Sequence, residues 1–181
     1  MKRKSLAIDM DGVIADVEAH ALQIYYERFG KLWTKEDASG KPEKDLLPDG
    51  YFRNFVLEPG FFRSAPVMDG AVEALQKLQE HYDIYIVSAA MEFPLSLPEK
   101  YDWMTEHFPF ISWRNLVFCG DKSIISTDFM IDDHPKNLDH FSGQSIIFSS
   151  FHNFDINRYP RINNWEEGLI LLTNPLSPLL I

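Results

Sequence analysis

The sequence predicts an α/β three-layer sandwich, with a parallel central sheet and a small helical cap inserted after the first strand. Short apolar runs, typical of buried parallel strands, recur along the chain. Helical patterns separate several of these runs, and this alternation is typical of Rossmann-like folds. Residues 17–66 interrupt the alternation because they contain no strand-like run.

Five apolar runs are predicted to form the strands of the sheet: residues 5–10, 83–88, 116–119, 129–132 and 145–148. Apolar residues recur at helical spacing between Val72 and Leu78, and Asp69 is the candidate N-cap of that helix. Pro98 suits the first turn of a second helix. A final helix is predicted around Trp165.

The interruption predicts two structural units in one chain. We expect residues 1–16 and 67–181 to form the core and residues 17–66 to form the cap. Within the cap, an apolar stripe predicts a helix over residues 17–29, and an aromatic segment predicts another over residues 51–57. The polar residues between them, rich in Pro and Gly, are interpreted as a loop.

Charge and cysteine content limit the classes of partner. The chain carries 27 acidic and 17 basic side chains, a net charge of −10. Such a chain has no field that attracts nucleic-acid polymers or anionic membrane surfaces, so neither is an expected partner. A small anionic substrate remains compatible with this charge if a local group receives it. The single cysteine, Cys119, indicates a reducing, cytoplasmic setting.

Candidate site residues lie at the ends of four of the predicted strands. They are Asp9 and Asp11 at the end of the first, Ser88 and Ala89 at the end of the second, Lys122 shortly after the third, and Asp132 and Asp133 at the end of the fourth. Each feature alone has an ordinary explanation, such as a turn, a helix cap or a solvated lysine. Their joint occurrence is more informative, because ligands of open α/β sheets bind beyond the carboxyl ends of the strands.

The charges of these residues indicate a cation. Four carboxylates and Lys122 together have a formal net charge of −3. Burying these carboxylates is costly unless another positive charge compensates them. Oxygen ligands without a Cys or His cluster favour Mg²⁺. We therefore predict a phosphoryl-transfer site, with Asp9 as nucleophile and metal ligand and Asp11 as general acid and base. Crowding by the other carboxylates is expected to raise the pKa of Asp11.

In this site the phosphate would be bound by Lys122, by Ser88 and by backbone N–H groups near Ala89.

At these motifs the chain resembles the haloacid dehalogenase superfamily of phosphatases. More narrowly, it resembles the 5'(3')-deoxyribonucleotidase family. The matching segments are residues 8–16 (IDMDGVIAD), residues 58–62 (EPGFF), Asp121–Lys122 and residues 131–133 (IDD).

The resemblance implies Mg²⁺-dependent dephosphorylation of deoxyribonucleoside monophosphates by a Rossmann-like core with a helical cap. It implies that Asp9, the backbone carbonyl of Asp11 and Asp133 hold the metal, with Asp132 in support near Lys122. It places Phe61 beside the nucleobase.

Two positions depart from the family pattern. Animal members of the family have an aromatic residue where Val17 stands, so one wall of the base pocket differs here. The Ser88–Ala89 pair also has one hydroxyl fewer than the Thr-Ser of the family.

Several alternatives remain open on sequence grounds. The chain could instead be a phosphatase of the same superfamily that acts on a sugar phosphate or another small phosphomonoester. A phosphoacceptor signalling domain also combines Asp, Mg²⁺, a hydroxyl and Lys, although its acidic pair precedes the phosphorylated Asp and its Lys comes last. A third alternative is a catalytically silent protein that only binds nucleotides. The apolar C-terminal tail could cover the sheet or form a homodimer contact.

Overall fold

A parallel sheet of six strands forms the centre of the part of the chain that the computed structural model describes, residues 3–174. The strands are β1 (Lys4–Asp9), β2 (Tyr82–Ser88), β3 (Leu116–Phe118), β4 (Phe129–Asp132), β5 (Gln144–Phe148) and β6 (Arg161–Ile162). Their spatial order is β3-β2-β1-β4-β5-β6, and every pairing is parallel. This order is that of a doubly wound sheet, whose direction of winding reverses between β1 and β4.

Helices cover both faces of the sheet. They are α1 (Val17–Phe29), α2 (Lys35–Ala38), α3 (Tyr51–Val56), α4 (Ala71–Leu78), α5 (Ser96–His107), α6 (Pro135–Leu138) and α7 (Trp165–Thr173). Leu6 and Ile8 of β1 belong to one buried apolar cluster, whereas Ala7 between them belongs to a second cluster on the opposite face. The near-continuous apolar runs therefore arise because both faces of each strand are buried. The predicted α/β fold with a parallel sheet is confirmed.

The segment between β1 and α4 lies wholly within the described residues and contains helices, turns and isolated bridges but no strand. The helices α1 and α3 occupy the positions expected from the sequence. The segment expected to be a loop, residues 35–50, instead contains α2 and two short 3-10 helices, Glu43–Asp45 and Pro48–Gly50. Thr34 and Asp37 explain α2, because they form a reciprocal capping box.

This segment leaves and rejoins the core at one place. Ala15 and Val67 form an antiparallel bridge, and the Asp16 N–H donates to the Pro66 carbonyl at 2.8 Å. The last part of the insertion, residues 60–67, is called the return segment, and it is also attached to α5. The Glu99 carboxylate accepts the Gly60 N–H at 2.6 Å and the Arg63 N–H at 3.3 Å.

Two local predictions were wrong. Asp69 does not cap α4: the N-cap position is Gly70, whose φ of 73° is left-handed. The strand β6 was missed because it has only two residues and follows a long polar segment. The C-terminal tail falls partly outside the described residues, so its role stays open beyond Asn174. Among residues 3–174, no helix is long and apolar enough to cross a membrane.

Trp165 connects the last helix to the turn after β1. Its indole is 1% exposed, donates to the Val13 carbonyl at 2.8 Å, and packs against Phe148. We expect Trp165→Phe to lower the free energy of unfolding by about 1–3 kcal/mol, because the Val13 carbonyl loses its indole donor. The control is Trp113→Phe, since Trp113 is 66% exposed and should change stability little. Equal denaturation midpoints of the two variants would contradict this prediction.

Candidate active site

Four strand ends bring the predicted site residues to one edge of the sheet. Asp9 ends β1, Ser88 ends β2, Asp132 ends β4, and Asp133 follows directly. Lys122 begins the 3-10 helix Lys122–Ile124, which lies between β3 and β4. All five side chains are buried. Asp9 and Asp132 belong to β1 and β4, the central strands that flank the reversal of winding. The doubly wound sheet thus gathers charged groups in the crevice where such folds bind ligands.

Lys122 lies between two carboxylates. Its ammonium group is 2.6 Å from Asp9 Oδ1 and 2.7 Å from Asp132 Oδ2. Burial acts to lower the pKa of Lys122, but Asp132 and Asp9 outweigh it and raise the pKa above its ordinary value. Lys122 therefore stays charged. The pKa of Asp9 is raised to about 6, because burial and the neighbouring carboxylates outweigh the effect of Lys122.

Asp132 is fully occupied by hydrogen-bond donors. Besides Lys122, it accepts the His134 N–H at 2.9 Å and the Asn137 side-chain amide at 3.0 and 3.1 Å. Because four contacts share its two oxygens, Asp132 is suited to orienting Lys122 and the loop after β4. The carboxylates of the cluster that keep an oxygen without a hydrogen-bond partner are those of Asp133 and Asp11.

The remaining oxygens fit a hard cation. Among the described residues, Oδ1 of Asp133 and Oδ1 of Asp11 are buried without a hydrogen-bond partner. Burial and the neighbouring carboxylates raise the pKa of Asp133 well above its ordinary value, so an added cation would favour its charged form. Asp9, Asp132 and Asp133 also place carboxylate oxygens within 4.8 Å of one another. Orphaned oxygen ligands in an acidic cluster are what a divalent oxygen-binding ion requires.

Lys100 is a site residue that the sequence analysis missed. Its side chain is 1% exposed, and its ammonium group pairs with Asp11 Oδ2 and donates to Ser88 Oγ at 2.9 Å. The ammonium also lies 4.4 Å from the centre of the Phe62 ring. Two lysines now face the four carboxylates, so the formal local excess is −2 rather than −3. The sequence analysis considered only the other carboxylates around Asp11, whereas the structure adds a buried cation in contact with it.

A signal for Lys100 was present in the sequence. The buried face of α5 consists of Ser96, Lys100, Trp103 and Met104, which have the spacing of a single helical stripe. A lysine within an otherwise inward-facing stripe must find a carboxylate or another polar partner inside the protein.

A cavity of about 220 Å³ opens at these charged groups. Asp9, Asp11, Lys100 and Lys122 line it, together with Ala89. Its apolar lining residues are Val17, Phe52, Val56, Phe62 and Phe93, and further polar residues complete the wall: Glu43, Lys44, Arg53, Glu92, His134, Lys136 and Asn137. One concave site therefore combines charged groups that suit an anion with aromatic side chains that suit a flat apolar group.

The two phenylalanines of the return segment occupy different positions. Phe62 lines the cavity, whereas Phe61 is absent from its lining among the described residues. Phe61 is buried with its ring against His20 and Phe62. A base-binding role for Phe61 stays a prediction, and Phe62 is the better placed of the two. Val17 lines the cavity as expected.

Two ion pairs connect the inserted segment to the core beside the cavity. Glu43 lies 3.2 Å from His134, and Arg53 lies 3.0 Å from Glu92. Burial acts to lower the pKa of His134, but Asp133 and Glu43 outweigh it and raise the pKa to about 10. The Asp133 and Glu43 carboxylates thus favour the charged form of His134.

The fold is similar to that of haloacid dehalogenase-like proteins. A haloacid dehalogenase-like hydrolase from Streptococcus pneumoniae superposes with a TM-score of 0.57 at 12% identity, covering 92% of this chain and 97% of that one. A structure described as a phosphoglycolate phosphatase from Lactobacillus delbrueckii gives a TM-score of 0.57 at 15% identity, covering 95% and 99%. At such identities these likenesses concern the fold alone.

The chain belongs to the family described as "5' nucleotidase, deoxy (Pyrimidine), cytosolic type C protein", whose model matches residues 3–175. A protein of Staphylococcus epidermidis is 43% identical over 169 residues, covering 92% of this chain and 94% of the relative. A 5'(3')-deoxyribonucleotidase of Bacillus subtilis is 37% identical over 175 residues, covering 91% and 96%. The family expected from the motifs is confirmed.

Gly12 is required by the close approach of Asp133. Its φ is 74°, and a Cβ atom there would lie 2.6 Å from Asp133 Oδ2. We expect Gly12→Ala to destabilise the protein more than Gly50→Ala, because Gly50 has a similar φ of 70° with nothing within 4 Å of its Cβ position. The left-handed backbone costs both variants about 1–2 kcal/mol, and the overpacking adds about 1–3 kcal/mol for Gly12 alone. Chemical denaturation of the two variants measures the difference, and equal losses would contradict the expectation.

Proposed function

We propose that the protein is a Mg²⁺-dependent phosphomonoesterase that removes phosphate from deoxyribonucleoside monophosphates through an aspartyl-phosphate on Asp9. The observation that carries this proposal is the composition of the cavity. Its lining places Asp9 and Asp11 beside two buried lysines and also includes three phenylalanines, Phe52, Phe62 and Phe93. Membership of the deoxyribonucleotidase family supports the same substrate class.

The carboxylates of Asp9 and Asp133 and the backbone carbonyl of Asp11 would hold the metal. The orphaned Asp133 oxygen supports this assignment. When bound, Mg²⁺ supplies positive charge that offsets the repulsion between the carboxylates and the phosphate. Lys122 adds a fixed positive charge beside Asp9. Asp132 holds Lys122 in place through their shared contact.

In the first chemical step, a carboxylate oxygen of Asp9 attacks the phosphorus atom and forms an acyl-phosphate bond. The bond between phosphorus and the nucleoside oxygen breaks, and that oxygen takes a proton from Asp11. In the second step, water gives a proton to Asp11 and attacks the phosphorus atom. The acyl-phosphate bond breaks, so inorganic phosphate leaves and the Asp9 carboxylate is restored.

Lys100 gives Asp11 a defined partner in this cycle. Its ammonium group contacts both Asp11 and the Ser88 hydroxyl, so it lies between the acid and a phosphate-binding group. We assign it two tasks: orienting Asp11 before the substrate binds, and donating to a phosphate oxygen afterwards. Ser88 and the backbone N–H groups near Ala89 bind the same phosphate.

The nucleoside would lie against the aromatic side chains of the cavity. We assign Phe62 and Phe93 to the base, because both rings line the cavity and stacking of a base on an aromatic side chain contributes about 1–3 kcal/mol. Val17 provides a smaller wall. Residues 17–66 would act as a cap that covers the bound nucleotide and excludes water during transfer.

The proposal is tested by phosphate release from a panel of deoxyribonucleoside monophosphates, ribonucleoside monophosphates and sugar phosphates. We expect turnover of deoxyribonucleotides, complete loss with a chelator, and recovery on adding Mg²⁺. Efficient turnover of sugar phosphates, with none of any nucleotide, would overturn the substrate class. The matched control is Asp9→Asn, which keeps the side-chain shape, lacks the nucleophile and should release no phosphate above background.

Lys100→Met tests the task assigned to the buried lysine. We expect kcat/KM to fall by roughly two orders of magnitude, since one preorganised donor at an oxyanion contributes about that factor. Steady-state kinetics with a deoxyribonucleotide measure the change. The control is Lys77→Met on the exposed face of α4, which should leave kcat/KM unchanged. A Lys100→Met protein with unchanged kcat/KM would show that Lys100 has no part in the reaction.

A further inference from the structure

The backbone of Asp133 is held by a loop that lies outside every motif identified in the sequence. The loop runs from the end of β5 at Phe148 to the start of β6 at Arg161. Its residue Asn153 donates through Nδ2 to the Asp133 carbonyl at 2.7 Å. His152 places a ring nitrogen 3.2 Å from the same carbonyl oxygen. The backbone carbonyl of Asp133 is therefore held by the side chains of His152 and Asn153, about twenty positions further along the chain.

Asn153 is completely buried, and each side of its amide faces a complementary group. Nδ2 faces two carbonyl oxygens, those of Asp133 at 2.7 Å and Phe148 at 2.8 Å. Oδ1 faces two donors, Arg161 Nη1 at 2.9 Å and the Ser150 N–H at 3.2 Å. Because two acceptors lie on one side and two donors on the other, only one orientation of the amide satisfies all four contacts.

Arg161 fixes the loop around Asn153. Besides its contact to Oδ1, its Nη2 donates to the backbone carbonyls of Asn153 at 2.8 Å and Ile156 at 2.6 Å. The side chain of Asn153 therefore joins three parts of the fold: the end of β5, the start of β6 and the residue after β4. Fully satisfied buried networks of this kind restrict the groups that they join.

The consequence concerns the free carboxylate oxygen of Asp133. Its Oδ1 is buried without a partner, and its Oδ2 lies 3.6 Å from His152 Nε2, so few contacts to the carboxylate itself determine where Oδ1 points. The position of the backbone then sets the direction of the side chain. Partners that orient a metal ligand in this way typically change metal affinity about 10–100-fold when they are removed.

We propose that Asn153 is a positioning residue that sets the Mg²⁺ affinity of the site through the Asp133 carbonyl. This inference rests on the proposed function, because it takes Asp133 as a metal ligand. It assigns Asn153 no contact with the substrate. A loss at Asn153 should therefore weaken metal binding and leave kcat at saturating Mg²⁺ close to the wild-type value.

Two substitutions separate positioning from general stability. Asn153→Ala removes all four side-chain contacts. Asn153→Asp keeps an oxygen for Arg161 and Ser150 but cannot donate to Asp133 as a carboxylate. The added negative charge of aspartate attracts cations, so weaker Mg²⁺ binding by this variant would arise against the electrostatic trend. The matched control is Asn115→Ala. Asn115 directly precedes β3, and the substitution removes its hydrogen bond of 2.6 Å to the Ile84 carbonyl of β2.

The measurement is the rise in Tm that Mg²⁺ produces, followed over a range of Mg²⁺ concentrations to give Kd. We expect both Asn153 variants to bind Mg²⁺ about 10–100-fold more weakly than wild type, and Asn115→Ala to bind it normally. If Asn153→Ala does not fold, Asn153→Asp decides, and Arg161→Lys serves as a third variant with the same expected direction. A folded Asn153 variant that binds Mg²⁺ with wild-type affinity overturns the inference.

The outcome is separable from that of the proposed function. Wild-type protein that hydrolyses nucleotides with Mg²⁺, together with unchanged affinity in the Asn153 variants, overturns this inference alone. Wild-type protein that binds Mg²⁺ without hydrolysing any nucleotide, together with weakened binding in the variants, overturns the proposed reaction and supports the role of Asn153. Wild-type protein that binds no Mg²⁺ overturns both.

Discussion

The ion pairs of Lys122 with Asp9 and Asp132 are the interaction on which the site depends. All three groups are buried at the carboxyl edge of the sheet. Removing one partner of such an arrangement leaves an uncompensated buried charge, which costs several kcal/mol. These ion pairs therefore require that β1 and β4 lie side by side and that the 3-10 helix of Lys122 lies close to both. The fold brings these groups together, and their mutual attraction offsets part of the cost of burying them.

A second lysine extends this requirement to the helical layer. Lys100 reaches from α5 to Asp11, so Asp11 is paired with a lysine of a long helix and Asp9 with Lys122 of a 3-10 helix. The two aspartates consequently experience different surroundings although they are separated by a single residue. Asp9 lies deep beside Lys122, whereas the Asp11 side chain is more exposed and shares Lys100 with Ser88. This asymmetry suits the different tasks proposed for a nucleophile and an acid.

The sequence was informative where a strand ends in a polar group. Apolar runs that terminate in Asp9, Ser88 and Asp132 predict both the sheet and the edge that carries the site, because burial on two faces leaves a readable pattern. Lys100 was missed since neighbouring Glu99, Tyr101 and Asp102 make its segment resemble a solvated helical face. Asn153 could not be found either, because it lies in a polar segment without periodicity and its partners come from distant parts of the chain.

The attachment of the return segment to α5 has a consequence for how this protein can diversify. The inserted residues leave and rejoin the core at the Ala15–Val67 bridge, and Glu99 fixes the last part of the insertion by accepting two of its backbone N–H groups. Phe62 is thereby anchored from the core side. The middle of the insertion can change in length or composition while Phe62 and the charged groups at the strand ends keep their positions. Selectivity for the organic part of a ligand can therefore drift during evolution independently of the chemistry performed on its anionic part.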